Sequence, residues 1–204
     1  MQLLPAQEDV VRVLTDTGAL RRGHFAYPGG SHSDEYLQVP LAMRYYQHAK
    51  MLSVGLSRLL RANTEIRSVI PELSIVAPAP GGLPVAHGVC EALQARQVYW
   101  AEREAPGLPF RFRPFVEPQP GEQVILVDDA LHSGSNLTDL RVLLESCGAI
   151  VLGLAVIVYQ PTPRTRDFGK LPVYHLARLE ASYYADAGSC EMCKRGEIAT
   201  KVWI

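Results

Sequence analysis

The sequence contains no long apolar run, no excess of charge of one sign and few cysteines. None of its 204 residues fall in a stretch approaching the ~20 apolar residues that a membrane-spanning helix needs, and residues 1–9 lack the pattern of a signal peptide. Lysine and arginine number 20 against 21 acidic residues, a net charge of −1 that argues against a broad nucleic-acid surface or a polybasic membrane patch. Composition therefore predicts a globular cytoplasmic protein that binds neither nucleic acid nor membrane.

Four cysteines are too few for a disulfide framework in a chain of this length. Cys90 and Cys147 stand in apolar helical patterns and are predicted to be small buried residues. Cys190 and Cys193 have the two-residue gap of a zinc knuckle or redox pair, but a closed zinc site needs four ligands and the chain has no second such pair. We therefore expect these two cysteines to lie in a surface element of the tail without a metal. A zinc site shared across a dimer is the alternative.

Helical and strand patterns alternate along the chain, which is typical of a single α/β domain. The patterns predict helices over 9–14, 47–60, 83–93 and 137–144, and strands over 73–77, 98–101, 124–127, 151–159 and 173–176. Glycine-rich residues 23–38 are predicted to form a loop or hairpin, residues 110–113 an exposed hairpin, and the end of the chain an irregular tail. No repeat or domain linker interrupts this order.

The most informative segment is residues 124–137, where a buried strand delivers Asp128 and Asp129 at its carboxyl end. Ser133, Gly134 and Ser135 then form a small-residue turn before a helix, which leaves backbone N–H groups free to converge on a phosphate. Two carboxylates would repel that phosphate, so they need another partner. Vicinal ribose hydroxyls, which donate to carboxylates, fit this requirement. The segment therefore predicts a clamp for a ribose 5-phosphate group.

Three other interpretations of this segment are weaker. The magnesium-binding strand of P-loop nucleotidases requires a glycine-rich loop ending in Lys and Ser or Thr, and the chain has none. The acidic pocket of receiver domains lies near the start of the chain, unlike Asp128 and Asp129. A purely structural role, with an Asx turn and Ser133 as the helix cap, would explain an isolated acidic pair but not the whole segment.

The segment 124–136 resembles the phosphoribosyl-diphosphate (PRPP) signature of type I phosphoribosyltransferases. Other segments resemble the orotate branch of that family: 23–38 its N-terminal base-binding hood, 77–84 its pyrophosphate loop, 101–113 its mobile catalytic loop, and 190–196 the tail of its short bacterial members. The resemblance covers nearly the whole chain. It implies an α/β fold with a mostly parallel central sheet flanked by helices. Within one domain, 1–204, it implies a small hood at 1–45, a core at 46–180 and a tail at 181–204, in a homodimer.

The resemblance implies Mg²⁺-dependent transfer of ribose 5-phosphate from PRPP to orotate, giving orotidine 5′-monophosphate and pyrophosphate. The catalytic residues would be Arg103, Asp128 and Asp129, with Arg103 reaching the pyrophosphate across a dimer interface. The PRPP site would consist of Pro80, Gly81, Gly82, Arg103, Asp128, Asp129, Ala130, Leu131, His132, Ser133, Gly134, Ser135 and Asn136. The base site would contain Phe25, His32 and Gln160, with His24 a further candidate, and Mg²⁺ would bind through PRPP without a direct protein ligand.

Three positions depart from the family pattern. His132 replaces the first threonine of Thr-Thr-Gly and would add positive charge near the phosphate, and Gly81 stands where some members have a lysine. Gln160 replaces the arginine that contacts the orotate carboxylate, and an amide cannot form the same charged fork, although Arg164 and Arg166 lie close enough in sequence to compensate. Transfer to a different base, and a PRPP- or nucleotide-sensing protein without turnover, are therefore the alternative hypotheses.

Overall fold

The computed structural model describes residues 4–105 and 107–202. In chain order the elements are α1 (Gln7–Asp16), β1 (Leu20–Ala26), β2 (His32–Leu37), α2 (Pro40–Met43), α3 (Tyr46–Ala62), α4 (Thr64–Val69), β3 (Ser74–Pro78), α5 (Leu83–Leu93), β4 (Gln97–Ala101), β5 (Gln123–Leu131), α6 (Ser135–Ser146), β6 (Ile150–Tyr159), β7 (Val173–Arg178), β8 (Tyr183–Tyr184), α7 (Glu191–Lys194) and β9 (Thr200–Lys201). Every helix and strand predicted from apolar spacing is present, mostly one or more residues longer than predicted. The short helices α2 and α4 were not predicted.

The central sheet has five parallel strands in the order β4-β3-β5-β6-β7, which confirms the predicted α/β class. Alternate residues of β5 pack into two separate hydrophobic cores. Ile125 and Val127 pack with α3 and α5 on one face, while Val124 and Leu126 pack with α6 on the other. A strand buried on both faces explains why residues 124–127 are a continuous apolar run.

The hood sheet is a second, four-stranded sheet in the order β8-β2-β1-β9. Residues 23–38 form its antiparallel hairpin, so the hairpin alternative was correct. The tail is not irregular as predicted, because β8 pairs with β2 and β9 pairs with β1. These two edge strands have only two residues each, too short for a sequence pattern to reveal.

The exposed hairpin predicted at residues 110–113 is confirmed only in part. The segment contributes only one bridge, between Glu102 and Arg111, and Phe110 is buried in the core that faces α6. Along 110–113 the aromatic residues are buried or half-buried and the arginines are exposed, and Arg103 stacks on the ring of Phe110. Pro106 of this loop lies outside the described residues. Among the described helices, none is long and apolar enough to cross a membrane.

Candidate active site

The acidic pair lies near the carboxyl end of β5, the middle strand of the central sheet, where open parallel sheets bind ligands. Asp128 is 6% exposed, and its Oδ1 accepts a hydrogen bond of 2.9 Å from the backbone N–H of Asp129. Burial, followed by the negative charge of Asp129, raises the pKa of Asp128 well above its usual range. Two acidic groups held this close are costly for folding alone, which is typical of a ligand site.

The predicted phosphate cradle is the turn between β5 and α6. Gly134 is the N-cap residue of α6 with φ +74°, a left-handed conformation that favours glycine. A Cβ at Gly134 would also lie 2.9 Å from the ring of Phe168. The Oγ of Ser133 contacts the Oγ of Ser135 at 3.1 Å, and the N-cap is Gly134 rather than Ser133, the cap in the purely structural alternative. The N–H of Ser135 donates to Oγ of Ser133 at 3.3 Å, and the other first-turn amides of α6 have no intrahelical acceptor, which suits a phosphate.

The turn between β3 and α5 places Gly81 and Gly82 directly against the acidic pair. A Cβ at Gly82 would lie 3.1 Å from Oδ1 of Asp128 and 3.0 Å from the carbonyl oxygen of Pro78. At Gly81 it would lie 3.7 Å from Oδ1 of Asp129, an ordinary contact. The N–H of Gly82 donates to the Pro78 carbonyl at 3.1 Å, so this group helps to close the turn instead of facing a ligand.

Arg103 folds back onto its own chain rather than extending from the loop. Its guanidinium donates to Oδ2 of Asp139 at 2.7 Å, approaches Oδ1 of Asn136 at 3.4 Å and lies 3.9 Å from the centre of the Phe110 ring. Its side chain is only 20% exposed. The structure thus places Arg103 beside the start of α6, next to the cradle residue Asn136, although reach across a dimer was expected.

Gln160, which follows β6, is buried with both ends of its amide bonded. Its Nε2 donates to Oε2 of Glu35 at 2.8 Å, and its Oε1 accepts from the hydroxyl of Tyr183 at 3.1 Å. Burial raises the pKa of Glu35, with the charge of Arg22 opposing this effect. The hairpin, β6 and the tail therefore meet in one polar network.

His132 connects this network to the cradle. Its Nδ1 lies 3.4 Å from the Tyr183 hydroxyl, and its backbone carbonyl accepts a hydrogen bond from Thr165. Burial lowers the pKa of His132, opposed by the nearby charge of Asp129. The unliganded protein therefore favours a neutral imidazole, in contrast to the positive charge expected from the sequence.

Known proteins resemble this chain in both sequence and fold. Orotate phosphoribosyltransferase of Thermotoga maritima is 31% identical over 192 residues, covering 94% of the chain and 96% of that protein. The Desulforamulus reducens protein of the same name is 30% identical over 196 residues, covering 96% and 95%. The chain belongs to the orotate phosphoribosyltransferase family. No family model matches it.

Solved structures of orotate phosphoribosyltransferases support the fold. The enzyme from Aeropyrum pernix superposes with a TM-score of 0.65 at 21% identity, covering 83% of this chain and 93% of the other. The Mycobacterium tuberculosis enzyme in complex with inorganic phosphate gives 0.59 at 19% identity, covering 84% and 96%. At these identities the likeness establishes the type I phosphoribosyltransferase fold, and the residue roles depend on the geometry of this chain.

Most residues predicted from the phosphoribosyltransferase resemblance meet at the carboxyl edge of the central sheet. Those brought together there are Gly81, Gly82, Asp128, Asp129, His132, Ser133, Gly134, Ser135, Asn136 and Arg103. Ala130 and Leu131 continue β5 instead of joining the turn. Leu131 is 1% exposed in the core, and its carbonyl accepts from the N–H of Gln160.

The residues predicted for the base diverge. Gln160 lies in the polar network, whereas Phe25 is buried in the hood against the ring of Tyr36 at 5.6 Å. Nδ1 of His32 lies 2.7 Å from Nε2 of His24 and 3.4 Å from the sulfur of Cys193. His32 therefore engages the tail through this nitrogen, and a role in base binding stays a prediction.

Sequence reasoning missed Glu35, Tyr183 and the partners of the tail cysteines. Glu35 and Tyr183 lie 148 positions apart, and only their common contact with Gln160 reveals them. Cys190 is fully buried against Nε2 of His24 at 3.5 Å, so the expectation of a bare surface element is wrong. The available signal was a pair of histidines in the hairpin combined with the Cys-x-x-Cys spacing of the tail.

Proposed function

We propose that the protein transfers the ribose 5-phosphate group of PRPP to orotate, with release of pyrophosphate. The observation that carries this proposal is the position of Asp128 and Asp129 between two turns, the Gly81–Gly82 turn and the start of α6. One turn suits the pyrophosphate and the other the 5-phosphate, with carboxylates for the ribose hydroxyls between them. Membership of the orotate phosphoribosyltransferase family supports orotate as the base.

The chemistry asks for positioning and charge more than for proton transfer, because pyrophosphate is a good leaving group and the ribose gains positive charge as it departs. Asp128 and Asp129 would hold the ribose hydroxyls, and their negative charge would stabilise a cation-like sugar. The amides of Ser135 and Asn136 would hold the 5-phosphate. Arg103 lies next to Asn136, at the 5-phosphate end of the site, and once released from Asp139 would bring a permanent positive charge to the departing group.

Mg²⁺ fits this site as a partner of PRPP. The two carboxylates are hard oxygen groups of the kind Mg²⁺ prefers. Burial, followed by the charge of Asp129, raises the pKa of Asp128, and a nearby cation would relieve this effect. Bound through the diphosphate oxygens, the ion would neutralise charge on the leaving group. With a net charge of only −1, the protein would depend on such local cations to hold a polyanionic substrate.

The direct test is incubation with PRPP, Mg²⁺ and orotate, following orotate consumption by absorbance and pyrophosphate by a coupled assay. Stoichiometric loss of orotate and gain of pyrophosphate is expected. A folded protein that consumes no orotate at any pH would overturn the proposal. PRPP binding by calorimetry, measured on the same sample, separates a sensing protein from an inactive preparation.

The Glu35–Gln160 contact favours a second candidate, transfer to a base without a carboxylate. The resemblance implies an arginine at position 160 that contacts the orotate carboxylate, whereas here an amide donates to a glutamate. A buried negative charge beside this position would repel orotate and would accept from an N–H edge of another base. Burial, which raises the pKa of Glu35, reduces this repulsion by favouring its neutral form.

A panel of pyrimidine and purine bases with the wild-type chain and the variant Gln160→Arg distinguishes the two candidates. If another base is the substrate, the wild type prefers it and Gln160→Arg gains activity on orotate. If orotate is the substrate, the wild type uses it alone and the variant gains little. Glu35→Gln is the matched control, because it removes the negative charge while its amide oxygen can still accept from Gln160.

A further inference from the structure

Four side chains that could bind a metal converge between the hairpin and the tail. They are His24, His32, Cys190 and Cys193, and their ligand atoms all lie within 4.8 Å of one another. Three of them are buried and Cys193 is partly buried. This cluster lies outside the residues assigned to PRPP, and it is the only such group found among residues 4–105 and 107–202.

The distances match a tetrahedral site with two nitrogen and two sulfur ligands. Zinc–nitrogen bonds of about 2.0–2.1 Å and zinc–sulfur bonds of about 2.3 Å place nitrogen and sulfur roughly 3.6 Å apart at a tetrahedral ion. The sulfur atoms of Cys190 and Cys193 lie 3.5 and 3.6 Å from Nε2 of His24, and that of Cys193 lies 3.4 Å from Nδ1 of His32. All three distances agree with this geometry.

The two imidazoles are closer than a bound ion would hold them. Nε2 of His24 and Nδ1 of His32 are 2.7 Å apart, against roughly 3.3 Å for two nitrogens on one tetrahedral zinc. Either a proton or a metal ion can lie between these two nitrogens, because both would be bound by the same lone pairs. Insertion of an ion would therefore replace this hydrogen bond after a movement of about half an ångström.

The orientation of His24 is that of a metal ligand with an outer partner. Its Nδ1 lies 2.9 Å from the backbone carbonyl of Glu197, and because a carbonyl can only accept, Nδ1 must carry the proton. Nε2 then presents its lone pair to the cluster. A carbonyl or carboxylate that holds the distal N–H of a histidine is the usual outer contact of zinc sites.

The hairpin is irregular at the residue that supplies this ligand. The register of β1 against β2 shifts between Arg22 and Phe25, with Gly23 at φ +154°. This bulge puts the consecutive residues His24 and Phe25 both into buried positions, which a regular alternating strand would not do. The extra residue thus turns His24 towards the tail.

The donor set selects the type of ion. Thiolates and imidazoles suit Zn²⁺, whereas Mg²⁺ requires oxygen ligands. Two thiolates and a dication give a neutral centre, as burial requires. The chain fills all four positions, so the centre has no open position for a substrate or water and would be structural.

We propose that His24, His32, Cys190 and Cys193 bind one zinc ion that fastens the tail to the N-terminal hairpin. Apart from this cluster, the tail joins the hood sheet through β8 and β9, which pair with β2 and β1 over two residues each. Such short strands are weak by themselves. The ion also fixes Tyr183 of β8, which bonds Gln160, and so stabilises the polar network beside the acidic pair.

The first experiment uses the wild-type full-length chain, purified without a metal-affinity tag. Elemental analysis is expected to find one zinc per chain, and replacement by Co²⁺ to give the intense visible bands and thiolate charge transfer of a tetrahedral site. Removal by a chelator is expected to lower Tm. A natively folded protein that takes up neither ion would overturn the proposal, and half an equivalent per chain would place the site between two subunits instead.

Variants assign the ligands. The double variant Cys190→Ser and Cys193→Ser, and Cys193→Ser alone in case the double variant does not fold, are expected to lose zinc affinity by about tenfold or more and to lose the charge-transfer band. Cys147→Ser is the matched control, because Cys147 is a free cysteine outside the cluster and its loss should leave both readouts unchanged. Full zinc content in the double variant, or a Cys190–Cys193 disulfide in the freshly purified protein, would refute the assignment.

Discussion

The central sheet and the hood sheet are held together by different kinds of interaction. The central sheet has five parallel strands of five to ten residues, and its strands β3, β5 and β6 are built from buried aliphatic side chains. The hood sheet has two strands of only two residues and buries polar groups, namely His24, His32, Ser33 and Glu35. Apolar packing holds the first rigid, whereas the second depends on hydrogen bonds and, as we propose, on a metal.

The two sheets also differ in the roles that we propose for their residues. The groups proposed to bind PRPP end strands of the central sheet, where small displacements are opposed by the whole core. Of the groups proposed to choose the base, Phe25, His32 and Glu35 belong to the hood, whereas Gln160 follows β6 of the central sheet and is bonded to Glu35. We therefore expect substitutions in the central sheet to affect catalysis most, and substitutions in the hood to affect base preference and pH dependence.

The largest effect is expected from Gly134→Ala in the cradle. The positive φ of Gly134 costs about 1–3 kcal/mol for a residue with a Cβ, and the 2.9 Å approach to Phe168 adds overpacking. Displacement of the cradle is expected to lower kcat/KM about hundredfold in steady-state kinetics. Calorimetry on the same protein measures its PRPP binding. Gly169→Ala is the control, because Gly169 also has positive φ but has nothing within 4 Å of its Cβ position. Equal losses in both variants would contradict the cradle.

Arg103→Ala is expected to lower kcat about tenfold to hundredfold with little change in stability, because a positive charge near the leaving pyrophosphate is lost. Steady-state kinetics measure this loss. Arg111→Ala is the matched control on the same loop, since its pair with Glu104 is exposed on both sides and should contribute almost nothing.

Asp139→Asn should preserve activity, because it only releases Arg103 from its resting partner. A drop as large as that of Arg103→Ala would show that the Arg103–Asp139 pair itself is required.

Asp128→Asn should stabilise the unliganded protein while weakening transfer. The raised pKa of Asp128 means that the folded state disfavours the ionised carboxylate, so an isosteric amide should raise the free energy of unfolding on the order of 1 kcal/mol at pH 7. Thermal or urea unfolding measures this gain. The gain should disappear below about pH 4, where the wild-type carboxyl is protonated in both states. A variant less stable than wild type at pH 7 would contradict the strain assigned to the acidic pair.

The smallest effect is expected at Glu35 in the hood. Because burial raises the pKa of Glu35, the folded state holds its proton to higher pH than the unfolded state, and stability is lost as pH rises from about 4.3 through the raised pKa. Glu35→Gln should remove this part of the pH dependence, less than about 1 kcal/mol because Arg22 offsets the burial. Tm of both proteins between acid and neutral pH measures it. A stability difference that is constant with pH would contradict the assignment.

The central sheet was largely predictable because its signals are local. Residues 124–127 show burial as a continuous apolar run, and Asp128 to Asn136 stand next to one another in the sequence as they do in the site. The exposed hairpin at residues 110–113 was predicted only in part, for the opposite reason. Phe110 is buried by packing with a distant core, and Arg103 stacks on it, which no local alternation encodes.

The hood was predictable in outline only. The hairpin followed from its glycine-rich centre, but β8 and β9 are formed by pairing and have no pattern of their own. Gln160 stood out by its difference from the family arginine, yet its amide is bonded to Glu35 and Tyr183, residues far away along the chain.

By itself, the sequence determined the α/β class, the order of the elements and the acidic pair with its cradle, since these depend on residues that are neighbours in the chain. Only the tertiary structure decided that Arg103 rests on α6, that Gln160 faces a glutamate, and that His24 and His32 meet Cys190 and Cys193. These contacts join residues separated by 33 to 169 positions. Chain folding brings such residues together through long-range strand pairing and packing, which leave no periodic trace in the sequence.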